Sequence, residues 1–139
     1  MRLFRTVFRA MAAEHELLLW SDDEARAARA AEAAVSDVRR IEAKYSRYRD
    51  DSVTSRINRA AGGAAVAIDA ETAALLTYAD ECHRLRGGSF DLTSGVLRRV
   101  WDFRRRPAQV PDAAALAAVT ALIGWDRVEW TEKAVRLPE

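Results

Sequence analysis

Cysteine is nearly missing from this sequence: Cys82 is the single one in 139 residues, so no internal disulfide can form. No apolar run approaches the roughly 18–20 residues that a bilayer-spanning helix needs. The opening "MRLFRTVFRAMAAEHELLLW" is interrupted by Arg2, Arg5 and Arg9. It therefore offers no apolar signal-peptide core, and a cytoplasmic location is expected. Neither sign of charge dominates. The 22 basic and 21 acidic residues leave a net charge of +1, which argues against a nucleic-acid binder, since such proteins carry a strongly basic face. "HELLL", with His15, lacks the second histidine of a zinc-protease helix. Internal repeats and low-complexity linkers are also absent.

What the chain does have is alanine, 28 residues of it, within an apolar fraction of 50%. Alanine loses almost no side-chain entropy in a helix and favours that state. The set of larger core-forming residues is correspondingly modest. Residues 3–8 and 14–20 read as strands, the second containing the apolar run "ELLLW". Ser21 opens a capping box with Glu24, which predicts a helix over about residues 22–46. Its inward face is Ala28, Ala31, Val35, Val38, Ile41 or Glu42, and Tyr45. Asp22, Asp23 and Glu24 suit the positive end of that helix. Ser52 is a cap for a short helix, and "AVAID" is a short strand. Asp69 caps a helix with Leu75, Leu76, Ala79, Cys82 and His83 inward, stopped by Gly87. Thr93 is expected to cap a helix bearing Leu97, Val100 and Trp101, and Asp112 a helix ended by Gly124. "DRVEW" and "AVRL" form a closing hairpin that turns at residues 131–133. The sum is a mixed α+β chain, with helices packed on an antiparallel sheet.

Between two of these helices lies "RGGSFDLTSG", residues 86–95. A glycine pair, a serine, an aromatic and an aspartate in one connection fit either a helix stop and start or a nucleotide-contacting loop. The succession of motifs decides how to read it. Met11 precedes a strand; a long helix ends in "YSRYRDDSVTSRIN"; "GGSFDLTSG" is followed by "VWDF" and, near the end, "IGWDRVEW". In this order they resemble the N-terminal half of the ApbE-type FAD:protein FMN transferases, over about residues 9–137. The family pattern has Met-Gly-Thr where this chain has Met11, Ala12 and Ala13. Its later glycine-rich and magnesium-binding segments have no counterpart before Glu139.

The resemblance implies one α+β domain over residues 1–139, the N-terminal portion of an ApbE-like, T-fold-like domain. It implies FAD as substrate, magnesium for the complete enzyme with its ligands outside this chain, and an acceptor flavoprotein whose threonine receives FMN as AMP leaves. Members of the family are often exported. Carried over residue by residue, the flavin contacts are Met11, Tyr48, Ser89, Phe90 and Asp91, with no catalytic residue assigned. The side chains suit the role. Met11 is polarizable and able to lie on a ring system, Tyr48 has a flat body with a polar tip, and Gly87 and Gly88 allow close backbone approach. Asp91 can accept from a ring N–H or an exocyclic amine, or orient backbone donors around the loop. Each also has a structural reading: Met11 as core filler, Tyr48 packed on its own helix, the glycines as a helix C-cap, Asp91 as a turn residue. Residues 104–106 are three arginines that suit either a phosphate or a solvated loop. Cys82 and His83 read as packed side chains.

Three functions follow: a flavin transferase completed by a second polypeptide, a non-catalytic flavin-binding module, and an interaction domain without ligand. An apolar surface at Trp125, Trp130, Val135 and Leu137 is expected to mark a partner or homodimer contact.

Overall fold

The computed structural model describes the chain apart from residues 88, 103–105 and 108. Two compact units emerge, Met1–Arg59 and Ala60–Glu139.

The first unit is a hairpin with two helices. Strands β1 (Arg2–Ala10) and β2 (Ala13–Ser21) pair antiparallel from Arg2↔Ser21 to Ala10↔Ala13. Their period of two sorts the side chains. Phe4, Thr6 and Phe8 stand opposite Leu19, Leu17 and His15 on a half-buried face, while Leu3, Val7, Leu18 and Trp20 are exposed on the other. Met11 and Ala12 alone make the turn, at φ of 49° and 62°. Two left-handed residues match the twist of a tight hairpin, yet neither is glycine, so each Cβ crowds the following carbonyl.

Helix α1 (Glu24–Tyr45) lies against both strands. Its cap is Asp23, which accepts from the Arg26 amide at 3.1 Å. Ser21, expected to fill that role, is turned to its own neighbour and accepts from the Asp23 amide at 3.1 Å. Asp23, directly before the helix, is the one that meets a free amide of the first turn, while the Ser21 hydroxyl is engaged with the Asp23 backbone. The buried stripe runs through Ala27 and Ala31, and Ala28 is exposed. Helix α2 (Val53–Arg59) starts at Ser52, whose hydroxyl accepts from the Ser55 amide at 3.0 Å and which is itself buried. Thr54 Oγ1 donates to the Tyr45 carbonyl, joining the start of α2 to the end of α1.

The second unit holds β3 (Val66–Ala67), α3 (Ala70–Leu85), a 3-10 helix (Leu92–Arg99), α4 (Ala113–Thr120), a short turn (Trp125–Arg127), β4 (Glu129–Trp130) and β5 (Ala134–Arg136). The strands form an antiparallel sheet in the order β3-β5-β4. Asp69 caps α3 and Asp112 caps α4, as their positions ahead of the helical runs predict. Helix α4 stops at Thr120, four residues before Gly124. Arg127 folds back and donates to the Ala121 and Ile123 carbonyls, both at 3.0 Å, satisfying acceptors that the helix end leaves open. The 3-10 helix is capped by Asp91, not Thr93.

Leu76, Ala73 and Ala79 of α3 are buried with Val119, Trp125, Val128 and Val135, whereas Leu75 is 48% exposed. The expectation of an exposed terminal patch is thereby corrected. Trp125 is 4% and Val135 2% exposed, and Trp130 and Leu137 are half-buried, because the closing hairpin supplies the core of its own unit. Among the described residues no helix is long and apolar enough to cross a membrane.

Candidate functional site

Two of the five expected contact residues belong to the first unit. The Met11 amide donates to Glu42 Oε1 at 2.5 Å, so the tip of the hairpin is moored to the last turn of α1. Tyr48 leaves that same end of α1: Ser46 is the helix C-cap, and its hydroxyl accepts from the Tyr48 amide at 3.2 Å. Both side chains are exposed, Met11 at 53% and Tyr48 at 76%. Neither is core filler, and Tyr48 leaves most of its ring uncovered. Glu42, weighed in the sequence only as an alternative to Ile41 on the inward face, turns out to hold the turn. An amphipathic count gives no signal for such a role.

The other three, Ser89, Phe90 and Asp91, are consecutive in the second unit. Helix α3 runs out through Gly87, whose φ of 54° is the left-handed conformation that ends helices. The Ser89 amide donates to the Arg86 carbonyl at 3.1 Å, completing the reversal. Gly88 lies outside the described residues, as do Phe103, Arg104 and Arg105 of the "VWDF" and arginine motifs; Arg106 is exposed. Leu85, Arg86, Ser89 and Phe90 line an open depression of about 480 Å³, with Phe90 42% exposed.

Asp91 behaves differently from its neighbours. Its side chain is only 11% exposed. Oδ1 accepts from the Thr93 amide at 2.7 Å and the Thr93 hydroxyl at 2.6 Å, and Oδ2 accepts from the Trp125 amide at 3.0 Å. Thr93 Oγ1 in turn accepts from the Gly124 amide at 2.9 Å. The carboxylate is thus the centre of a clasp between the 3-10 helix start and the Gly124 and Trp125 backbone. Trp125 adds a bond from its indole Nε1 to Asp80 Oδ1 at 2.9 Å. Burial by itself would raise the Asp91 pKa. The Thr93 hydroxyl, the Trp125 and Thr93 amides and the nearby His83 outweigh it and hold the group below the ordinary carboxylate value. A carboxylate with both oxygens occupied from within organises backbone donors, one of the two roles its sequence context allows.

The sequence pattern makes His83 a packed side chain. It sits under this segment at 13% side-chain exposure, with Nδ1 2.8 Å from the Phe90 carbonyl oxygen. Trp125 carries the fold of the site but is visible in the sequence only as part of "IGWDRVEW", with nothing to say that its amide and indole meet two separate aspartates.

The sequence matches the ApbE family over residues 6–139. No curated protein matches it closely enough in sequence to add to that. Among solved structures, the ApbE protein of Thermotoga maritima superposes with a TM-score of 0.86 at 24% identity, covering 99% of this chain and 45% of that one. The flavinyl transferase ApbE of Pseudomonas stutzeri gives 0.78 at 21% identity, covering 98% and 46%. The flavin transferase ApbE of Vibrio cholerae, as its H257G mutant, gives 0.78 at 20% identity, covering 97% and 45%. The chain therefore spans a little under half the length of the solved structures it resembles. The motif order along the sequence, the hairpin-and-helix units and this match agree with one another: the chain belongs to the ApbE family.

Proposed function

We propose that the chain is the flavin-handling part of an FAD:protein FMN transferase, its two units being portions of one such domain. The observation that carries this reading is the family match over residues 6–139, joined to a loop whose backbone is fixed from inside while Ser89 and Phe90 remain exposed. In the reaction, a threonine hydroxyl of an acceptor flavoprotein attacks the FMN-side phosphorus of FAD. The bond to the bridging oxygen breaks, AMP leaves with that oxygen, and the hydroxyl proton is lost. Such transfers depend on positioning and on neutralising phosphate charge. This chain's share is positioning: Met11 and Tyr48 offer a thioether and a ring to aromatic surfaces, Phe90 offers a ring edge or face, Ser89 a hydroxyl, and Asp91 holds the loop. Among the described residues no group of three or more His, Cys, Asp or Glu is placed to hold a cation. Magnesium, which the reading expects for the complete enzyme, is given no step in what this chain's residues do.

FAD added to the protein should bind with a change in flavin fluorescence, and Phe90→Ala or Tyr48→Ala should weaken binding about tenfold or more, the scale of a lost aromatic stack. Titration curves for both variants that overlay the wild type would remove these residues from the site. A second reading, a module that binds flavin without transferring it, draws on the same exposed loop residues Ser89 and Phe90. Supplying the remaining half of the domain, magnesium and a threonine-bearing acceptor separates the two. A covalently fluorescent acceptor supports transfer, and FAD binding without labelling supports the module.

A further inference from the structure

The Phe90 carbonyl is a backbone acceptor in the middle of the exposed loop, and the group that meets it comes from α3. A carbonyl oxygen can only accept, so the contact with His83 Nδ1 at 2.8 Å places the proton on Nδ1. The ring is 13% exposed and has two carboxylates around it: Asp91 Oδ2 lies 3.9 Å from Nδ1, and Asp126 Oδ1, on an exposed side chain, lies 3.6 Å from Nε2. On its own helix the neighbouring charges, Asp80 and Arg84, are paired with each other at 3.1 Å.

Asp91 is fixed from the far side by Thr93 and Trp125. Nothing in that clasp sets the peptide plane before it. A hydrogen bond to the Phe90 carbonyl does so, and with it the direction in which Ser89 and Phe90 face the depression they line. We propose that His83 is a positioning residue: by donating from Nδ1 to the Phe90 carbonyl it locks the orientation of residues 89–90 for ligand binding. The proposal rests on the flavin reading for the identity of that ligand, but the positioning itself does not.

The side-chain chemistry supplies its own controls. An asparagine amide nitrogen reaches the place of Nδ1, whereas a glutamine amide nitrogen reaches the place of Nε2. His83→Asn should therefore keep the bond that His83→Gln and His83→Leu lose. Amide hydrogen exchange of the full chain should be faster at Ser89 and Asp91 in the Gln and Leu variants and return to the wild-type rate in the Asn variant. FAD affinity should follow the same order, weakened about tenfold in Gln and Leu, the scale of one lost hydrogen bond. NMR of the ring nitrogens should find the proton on Nδ1. Equal exchange in the Asn and Gln variants, or a proton found on Nε2 alone, overturns the proposal. Should Leu fail to fold, the Asn-against-Gln contrast still decides. If the wild-type protein binds no FAD, the flavin reading falls, and the exchange contrast alone tests the positioning.

Discussion

The two units bury different kinds of residue. In Met1–Arg59 the buried residues are all small: Ala10, Ser21, Ala27, Ala31 and Ser52. In Ala60–Glu139 they include Leu76, Val119, Trp125, Val128 and Val135. Close packing around small side chains lets a helix lie near a hairpin but removes little apolar area from water. A large ring held by two polar bonds removes much more and also fixes a geometry. The first unit thus carries its candidate residues on a turn and a helix exit, the Met11 amide held by Glu42 and the Tyr48 amide by Ser46. The second carries Ser89 and Phe90 on a loop fastened to its core.

If that contrast is right, the steepest effect belongs to Trp125. Trp125→Ala should destabilise the second unit by about 3–5 kcal/mol and is read by chemical denaturation, with the hairpin of the first unit reporting separately by NMR. Loss of both units together would break the contrast. Next in size is Asp91→Asn, which leaves the Trp125 and Thr93 amides poorly matched and should cost about 1–3 kcal/mol at neutral pH. The acid behaviour sharpens it. Because the folded Asp91 pKa is depressed, its contribution is fully present above the unfolded value of about 3.9 and is lost as pH falls through the lower folded value. Thermal melts of the Asn variant should therefore lack that part of the acid-induced loss, and an unchanged acid limb would detach Asp91 from the clasp.

A smaller change of opposite sign is expected in the first unit. Ala12→Gly relieves a left-handed alanine at φ of 62° and should stabilise by up to about 1 kcal/mol after the added freedom of the unfolded chain is subtracted. A destabilised variant would mean that the turn is not under strain. Smallest of all is Leu75→Ala, within about 0.5 kcal/mol because its side chain is half out in solvent. Its neighbour Leu76→Ala provides the contrast, at about 2–5 kcal/mol. Equal effects would put the inward face of α3 where the sequence count had it.

That last pair shows where sequence reasoning succeeded and where it stopped. Period-two and period-three-to-four patterns identified the hairpin, α1, α3 and the closing strands, because burial imposes those periods. They set Ala28 in the stripe of α1 where Ala27 is buried, and counted the exposed Leu75 inward along with the buried Leu76, since an apolar residue beside the stripe looks the same in sequence as one within it. Caps at Ser52, Asp69 and Asp112 were legible because the cap sits directly before its helix. Asp23 and Asp91 were missed as caps because a serine or threonine two residues away fits the same motif. Ser89, Phe90 and Asp91 could be singled out from motif order. The bonds that organise them come from Gly124, Trp125 and His83, at separations of 7 to 34 residues, and no local pattern encodes those.

The Thr93-to-Gly124 bond closes a stretch of 31 residues that contains the whole of α4. Joining the ends of a segment that long costs about 3 kcal/mol of chain entropy, yet doubling its length would add only about 0.6 kcal/mol more. The span between the two clasped points is therefore thermodynamically cheap to lengthen. Evolution or an engineer can insert new sequence there, away from the clasp, while the loop at Ser89 and Phe90 keeps its shape.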